Sequence, residues 1–442
     1  MMWLKHKGIM AMAAKIIRKQ DGKLVIEVGM DLDGQDAMLD KEALIRAAVN
    51  EAGALATAEA LKGFDSEDQM VIMGGRTYTS KGKFLEKYES PYGTIKVSRH
   101  VYQSSSGGKT FCPLESAARL ILNSTPAYAK IISGQYSRNG ALDAATCAME
   151  SLGRRVCPAY VRMIGDLVGE IALAQENEWS YDLPQLARDP VAVSVGLDGT
   201  CMLLCDTGWR EAMVGTISLY DRDGNRLHTI YAGAFPEYGK AEFLQRFDAE
   251  LSRVKTAFPA LIYIGLADGA VDNWSFLSSR TERQIVDFYH VSEYVKLAAS
   301  LLIPRSKTAR GAWLDDHLHQ LKHDDGAAQA LLEIFLAARS KLPVRKRPEL
   351  EKVIIYFQNH VPQMNYAEQI RNNLPIGSGV TEAASKELIK QRLCNSSMRW
   401  KKTGASAVIA IRSLVLTKER WFQFWNKISW CGTKKHPRFS QR

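Results

Sequence analysis

The chain lacks several features that would place it in large, well-marked classes. No CxxC pair occurs among its cysteines, which stand scattered at 112, 147, 157, 201, 205, 394 and 431. An odd set of seven thiols argues against a disulfide framework or a structural zinc site, and suits a reducing cytoplasm best. Long apolar runs are missing too. Stretches such as 191–196 and 261–267 fall far short of the roughly 20 residues a membrane-spanning helix needs, so no membrane partner is expected. Lys5, Lys7 and Lys15 interrupt residues 1–17, which make a poor signal peptide. There is no GxxxxGKS/T loop, so no nucleotide cofactor is expected, and there is no internal repeat or low-complexity tract.

What is present is an ordinary globular composition with an uneven charge. The 442 residues are 46% hydrophobic and 24% charged, enough for a sizeable core. That length suits roughly two to four domains. Lys and Arg number 58 and Asp and Glu 48, a net +10. From residue 383 to the end there are 14 Lys/Arg and 2 Asp/Glu, so this tail carries +12 and the first 382 residues sum to −2. Trp400, Trp421, Phe422, Phe424 and Trp425 are interleaved with these charges, which suggests a nucleic acid as partner. A solvated basic helical surface is the plainer alternative.

Along the chain, residues 22–28 and 93–102 read as strands and 41–62 as a helix, an α+β module over 1–105. Residues 106–185 read as helical. Within them, 139–152 and 159–173 form two helices joined through Gly153 and RRVCP. This is a helix-turn-helix plan, whose second helix would enter a major groove with Arg154, Arg155 and Arg162 on phosphates. An ordinary αα-hairpin reads equally well. A polar stretch at 175–189 marks a domain boundary. Beyond it come strands at 191–205, 211–220 and 226–234, a helix at 240–258, a buried strand at 261–266, a short helix at 273–279 and a strand at 284–289. The order βββαβ(α)β predicts an α/β, ribonuclease-H-like catalytic core, its first part over 190–294. Residues 295–373 read as an all-α insertion containing Arg345, Lys346 and Arg347. Residues 374–442 supply a glycine loop, a helix at 381–393 and the basic tail.

Asp198 sits inside an apolar strand, where a carboxylate is costly unless paired or bound to a cation. Asp268 ends the fourth strand in Leu-Ala-Asp-Gly. A sheet of this order sets the first and fourth strands side by side, so the two carboxylates converge and repel. A divalent cation resolves that conflict. Glu382, on the helix after the sheet, is the third candidate ligand. Gly377 and Gly379 bring the backbone close before it, Ser378 or Thr381 caps its helix, and Lys386 and Lys390 share its face at i+4 and i+8. Three carboxylates with basic neighbours suit two Mg²⁺ ions per site, with Mn²⁺ as a substitute, in phosphoryl transfer. Taken singly, each carboxylate reads as well as an N-cap or a turn residue. Asp287 and His290 close the fifth strand as Asp-Phe-Tyr-His, and by pattern alone His290 reads as a satisfied buried histidine. His317, His319 and His323 lack the glutamate of an HExxH zinc helix and read as a helix face. Cys201 and Cys205 read as buried thiols.

Several long stretches carry a family resemblance: VGLDGT (195–200), GWREAMVGTISLYD (208–221), RLHTIYAGAFPEYGK (226–240), YIGLADGAVDNW (263–274), DFYHVSEY (287–294), NHVPQMNYA (359–367), LPIGSGVTEAASKELIKQRL (374–393), MRWKK (398–402) and RWFQFW (420–425). Together with PYGTIKVSRHVYQ and FCPLE upstream, these resemble bacterial insertion-sequence transposases of the ISKra group, relatives of the Mutator-like transposases. The resemblance covers nearly the whole chain. It implies a DNA transposase with Asp198, Asp268 and Glu382 as the Asp-Asp-Glu triad. Asp287 and His290 match the (Cys/Asp)-x-x-His signature, which reverses the pattern reading of His290. Residues 295–370 correspond to the helical insertion of such enzymes. The activity implied is cleavage at terminal inverted repeats followed by 3′-hydroxyl strand transfer into target DNA. It implies double-stranded DNA as partner, a homodimer or larger assembly, and a bacterial, nucleoid-associated cytoplasmic location. Lys386, Lys390, Arg392, Arg399, Lys401 and Lys402 join the three arginines above as expected DNA contacts. Ser385 stands where many members have Cys, and Asn395-Ser396-Ser397 departs from an expected Ser-Gly. A catalytically silent DNA-binding derivative, or a structure-specific nuclease of the same fold, are the alternatives.

Overall fold

The computed structural model describes residues 14–33, 37–73, 75–236, 240–395 and 398–432. The chain divides into two units: Met1–Tyr181 with Ser406–Arg412 and Trp421–Arg442, and Asp182–Ala405 with Ser413–Arg420. The break after Tyr181 falls in the polar stretch read as a boundary. The expected C-terminal block over 374–442 is not one domain, because its residues are shared between the units.

In the first unit, β1 (Lys15–Gln20) and β2 (Lys23–Glu27) form a hairpin through Asp21-Gly22, where both residues have positive φ. Helix α1 (Met38–Lys62) follows. An antiparallel sheet then runs β3 (Met70–Met73), β4 (Arg76–Glu89), β5 (Thr94–Ser104) and β6 (Thr110–Phe111), in that spatial order. Tyr88, Ile95 and Val97 of this sheet bury against Leu61 of α1 and Leu114 of α2 (Pro113–Ala117). Three helices follow in this unit: α3 (Pro126–Arg138), α4 (Ala141–Leu152) and α5 (Pro158–Gln175).

Gly153 stops α4 in the left-handed conformation, at φ 68°. Pro158 opens α5, a first-turn position that loses no hydrogen bond. Helix α5 is not the open recognition helix that the helix-turn-helix plan predicts. It buries Val161, Ile164, Leu167, Val168 and Ile171. Its Gly165 lies so near Tyr136 that a Cβ would stand 2.1 Å from the ring, and a Cβ on Gly169 would stand 2.5 Å from the Ala407 backbone. Its glycines let neighbours seat on it, so the packed αα-hairpin is the observed arrangement. Arg162 and Met163, near its start, are exposed.

The second unit is built on a five-stranded sheet. Its strands are β7 (Ala192–Leu204), β8 (Gly208–Tyr220), β9 (Arg226–Ala234), β10 (Ile262–Ala267) and β11 (Arg283–Val286), in the order β11-β10-β7-β8-β9. Strand β8 is antiparallel to both β7 and β9, while β10 and β11 run parallel to β7. Between them, α6 (Ala241–Ala257) buries the expected stripe of Phe243, Phe247, Leu251 and Val254, and α7 (Val271–Leu277) follows β10. The helices α8 (Phe288–Leu302), α9 (Lys307–His323), α10 (Ala327–Arg339), α11 (Arg347–His360) and α12 (Tyr366–Arg371) come next. They are inserted in the chain but are not a separate domain. Val295, Phe335, Val353 and Phe357 belong to one continuous core with Val195, Ile217 and Ile264 of the sheet. Helix α13 (Gly379–Ser385) then runs into a π turn, Lys386–Lys390, before α14 (Gln391–Leu393), α15 (Lys402–Leu416) and α16 (Arg420–Cys431). No helix among the described residues is long and apolar enough to cross a membrane.

Candidate active site

The parallel register of β7 and β10 pairs Gly196 with Leu266. Asp198 and Asp268 each follow two residues later in the chain, just past the last paired positions of the two strands. Asp198 is still in β7, whereas β10 ends at Ala267 and Asp268 opens an exposed turn in which Gly269 takes φ +109°. Asp268 Oδ1 accepts from the Ala270 N–H at 3.1 Å, which shapes that turn.

Helix α13 reaches the sheet because Gly196 has no side chain. A Cβ there would stand 2.0 Å from Thr381 Oγ1. Thr381 instead shares a 2.7 Å hydrogen bond with Thr216 of β8. Side chains two residues apart on a strand share a face, so Asp198 points to the α13 side as Gly196 does. There its Oδ2 accepts from Ser385 Oγ at 2.5 Å. Burial raises the pKa of Asp198, and the negative charge of Asp268 adds to the rise; the Ser385 hydrogen bond and the Lys390 charge oppose it. The two aspartates therefore act on each other as expected.

Glu382 is exposed, in the first turn of α13. Ser378 Oγ stands 3.1 Å from Glu382 Oε1 and 2.5 Å from Asp287 Oδ2, with one proton to donate between them. It does not cap α13 with its side chain, as the sequence suggested, because these carboxylates engage it. Asp287 is fully buried and acts as a joint. Its Oδ1 caps α8 by accepting from the His290 N–H at 2.7 Å, and its Oδ2 also accepts from the Ser378 N–H. The start of α8 is thus tied to the loop that leads to Glu382. A Cβ on Gly377 would lie 3.1 Å from the Tyr289 ring, so the loop runs close to α8.

His290 is exposed rather than buried, its ring edge-on to Tyr294 at 5.5 Å and near Tyr356 at 5.8 Å. His317 stacks on Trp313, and His319 faces His323 on the same helix. Among the described residues no group of three His, Cys, Asp or Glu side chains stands close enough to hold a metal ion. Asp198 and Asp268 fit a divalent cation by donor chemistry: hard oxygens in a pair whose mutual charge raises one pKa. Glu382 lies on the same helix as Thr381 and Ser385, which touch β7.

The expected DNA contacts divide into two groups. Lys386, Lys390, Arg399, Lys401, Lys402, Arg155 and Arg162 are exposed. The π turn changes the angular step along Lys386–Lys390, so the i+8 rule that would set Lys390 on the Glu382 face does not carry over. The charge of Lys390 acts on Asp198. Arg392 is a correction. It is 4% exposed and lies against the Trp400 ring, 5.1 Å from its centroid. Arg154 is another: its side chain is 12% exposed, pairs with Glu89 and covers the Tyr128 ring. Cations packed this deeply need internal partners, and both have them.

The aromatic residues of the tail divide between core and surface, Phe422 and Trp430 being exposed. Trp421 stacks on Phe424 at 5.6 Å, and Phe424 and Trp425 are buried at helical spacing. Arg412 and Arg420 are also buried, the first donating to Ser137 O at 2.5 Å and the second pairing with Glu250 at 2.6 Å. Lys434, Lys435, Arg438 and Arg442 lie outside the described residues, as do 237–239 and Ser396-Ser397 of the family-like stretches. Cys201 and Cys205 are exposed, contrary to expectation.

Sequence reasoning noted Ser385 only as a departure and passed over Tyr356, whose hydroxyl donates to the Asp268 carbonyl at 3.0 Å. Gly196 was the available signal for the α13 contact, since a glycine inside a buried strand marks a close approach. Compared with known proteins, the chain matches no protein-family model and no curated sequence.

Proposed function

We propose that the chain is a DNA transposase of the Asp-Asp-Glu type, cutting at the inverted repeats of its element and joining the freed 3′-hydroxyl to target DNA. The observation that carries this is that Asp198 on β7 and Asp268, in the turn that leaves the adjacent parallel strand β10, lie within electrostatic reach of each other, with the Glu382 helix laid on β7. The strand order, three antiparallel strands and then two parallel ones beside the first, supports a ribonuclease-H-like core. The long stretches that resemble ISKra-group transposases point the same way.

In this reading Asp198 and Asp268 would hold Mg²⁺, or Mn²⁺ in its place, and Glu382 is the third ligand that the resemblance implies. Bound there, the metal would activate water or a 3′-hydroxyl and stabilise the leaving oxygen. The chain's own part is positional. Ser385 orients Asp198, the Ala270 N–H orients Asp268, and Asp287 with Ser378 sets the loop before Glu382. Lys390 offers a charge beside Asp198 for a phosphate. Two element ends must be brought together, so the working form is a homodimer or larger on double-stranded DNA, at the bacterial nucleoid.

The test is cleavage of DNA carrying the gene's own flanks, by wild type and Asp268→Asn, with Mg²⁺, Mn²⁺ or EDTA. Metal-dependent nicks at inverted-repeat ends, absent in the variant, are expected. Nicks that persist in a clean Asp268→Asn preparation would overturn the site. Cutting without joining would indicate a nuclease, and flank binding without cutting a silent DNA-binding derivative.

A further inference from the structure

Asp268 has left its strand, yet its carboxylate must stay within reach of Asp198. The turn that holds it is braced from the helical segment. Tyr356, on α11, donates its hydroxyl to the Asp268 carbonyl at 3.0 Å. The Tyr356 ring is held in turn by Tyr294 of α8, stacked at 3.8 Å and 10°, with His290 edge-on at 5.8 Å and His360 at 4.7 Å. The turn fits this cluster closely. A Cβ on Gly269 would lie 3.2 Å from His360 Nε2 and 3.3 Å from the Tyr356 ring, at a φ that already favours glycine. The hydroxyl, the stacked ring and the side-chain-free residue after Asp268 all act on one peptide.

From this geometry we infer that Tyr356 is a positioning residue, through which α8 and α11 set the Asp268 carboxylate for a divalent cation. The inference rests on the nuclease reading of the site. It also gives the His290 ring a physical role, as part of the wall that fixes the Tyr356 ring rather than as a ligand. A hydrogen bond to a ligand's own backbone acts as outer-shell support does, and loss of such support weakens metal binding about tenfold or more.

The experiment compares wild type, Tyr356→Phe and Asp268→Asn as full chains. Tyr356→Phe removes the hydroxyl and keeps the stacked ring. Mn²⁺ binding is followed without DNA, by loss of the free-ion paramagnetic resonance signal, and the Mn²⁺ dependence of DNA nicking is measured alongside. Tyr356→Phe is expected to unfold at the wild-type temperature and bind flank DNA as well, yet to bind Mn²⁺ about tenfold more weakly. Its half-saturating Mn²⁺ for nicking should rise by the same factor, with the rate recovering at high Mn²⁺. A folded Tyr356→Phe with wild-type Mn²⁺ binding and half-saturation, while Asp268→Asn has lost both, would overturn the positioning role and leave the nuclease reading standing. Wild type indistinguishable from Asp268→Asn in both measurements would overturn the two together.

Discussion

A carboxylate half-buried in a strand needs a donor, and Asp198 takes one from Ser385, itself 2% exposed. Ser385→Ala leaves that carboxylate short of a partner, and a lost hydrogen bond to a charged group costs about 2 kcal/mol. The expected result is a lower urea midpoint at unchanged slope, together with slower metal-dependent nicking; Ser385→Thr should recover part of both. His228, on β9, offers a second residue-scale test. It is buried, and burial first, then the charges of Arg420 and Lys418, push its pKa down from 6.5 to about 4. The folded protein therefore keeps it neutral where the unfolded chain protonates it. Its contribution to stability is intact above about pH 6.5 and is lost as pH falls toward about 4, up to about 3 kcal/mol. His228→Leu should flatten that part of the pH–stability curve measured by urea unfolding. A slope unchanged between pH 6.5 and 4 would rule out His228 as its source.

At the scale of elements, the decisive contact is between β7 and α13. Gly196→Ala places a methyl 2.0 Å from Thr381 Oγ1, with Thr216 Oγ1 at 3.1 Å, so the helix must move. Overpacking of this kind costs about 1–3 kcal/mol. Because Ser385 and Glu382 ride on the same helix, nicking is expected to fall further than stability does, read as a rate against a thermal midpoint. Most elements here were legible in the sequence: the three strands and the stripe of α6 follow from alternation and helical period. The π turn at Lys386–Lys390 was not, since no residue pattern marks where a helix takes up one extra residue. Helix α5 stayed open between a recognition helix and a packed hairpin for a similar reason. Gly165 and Gly169 look like weak points of a helix until Tyr136 and Ala407 are seen seated on them.

For the whole molecule, the charge of the tail has to be recounted by burial. Arg392, Arg412 and Arg420 are 4%, 6% and 7% exposed and serve the interior. Lys401 and Lys402 are exposed beside Trp400, which bridges to the end of β7. If DNA phosphates meet that edge, replacing both lysines by Ala should lower the log–log salt slope of DNA binding by about 2. Arg392→Ala should leave the slope alone and lower the thermal midpoint instead, having lost a buried cation–π contact. A salt slope unmoved by the double lysine change would remove this edge from the DNA path.

By itself the sequence determined the strand and helix order of the second unit, the boundary near residue 182 and the placement of Asp198 inside an apolar strand, because these depend on local period and on the cost of a buried charge. Only the tertiary structure decided which arginines are surface and which are core, which hydroxyl serves Asp198, and that the helical segment shares a core with the sheet and braces Asp268. The support of the two aspartates rests on contacts between residues 88 and 187 positions apart, Tyr356 with Asp268 and Ser385 with Asp198. A single chain's composition and periodicity carry no record of such pairs, because each partner alone suits many environments.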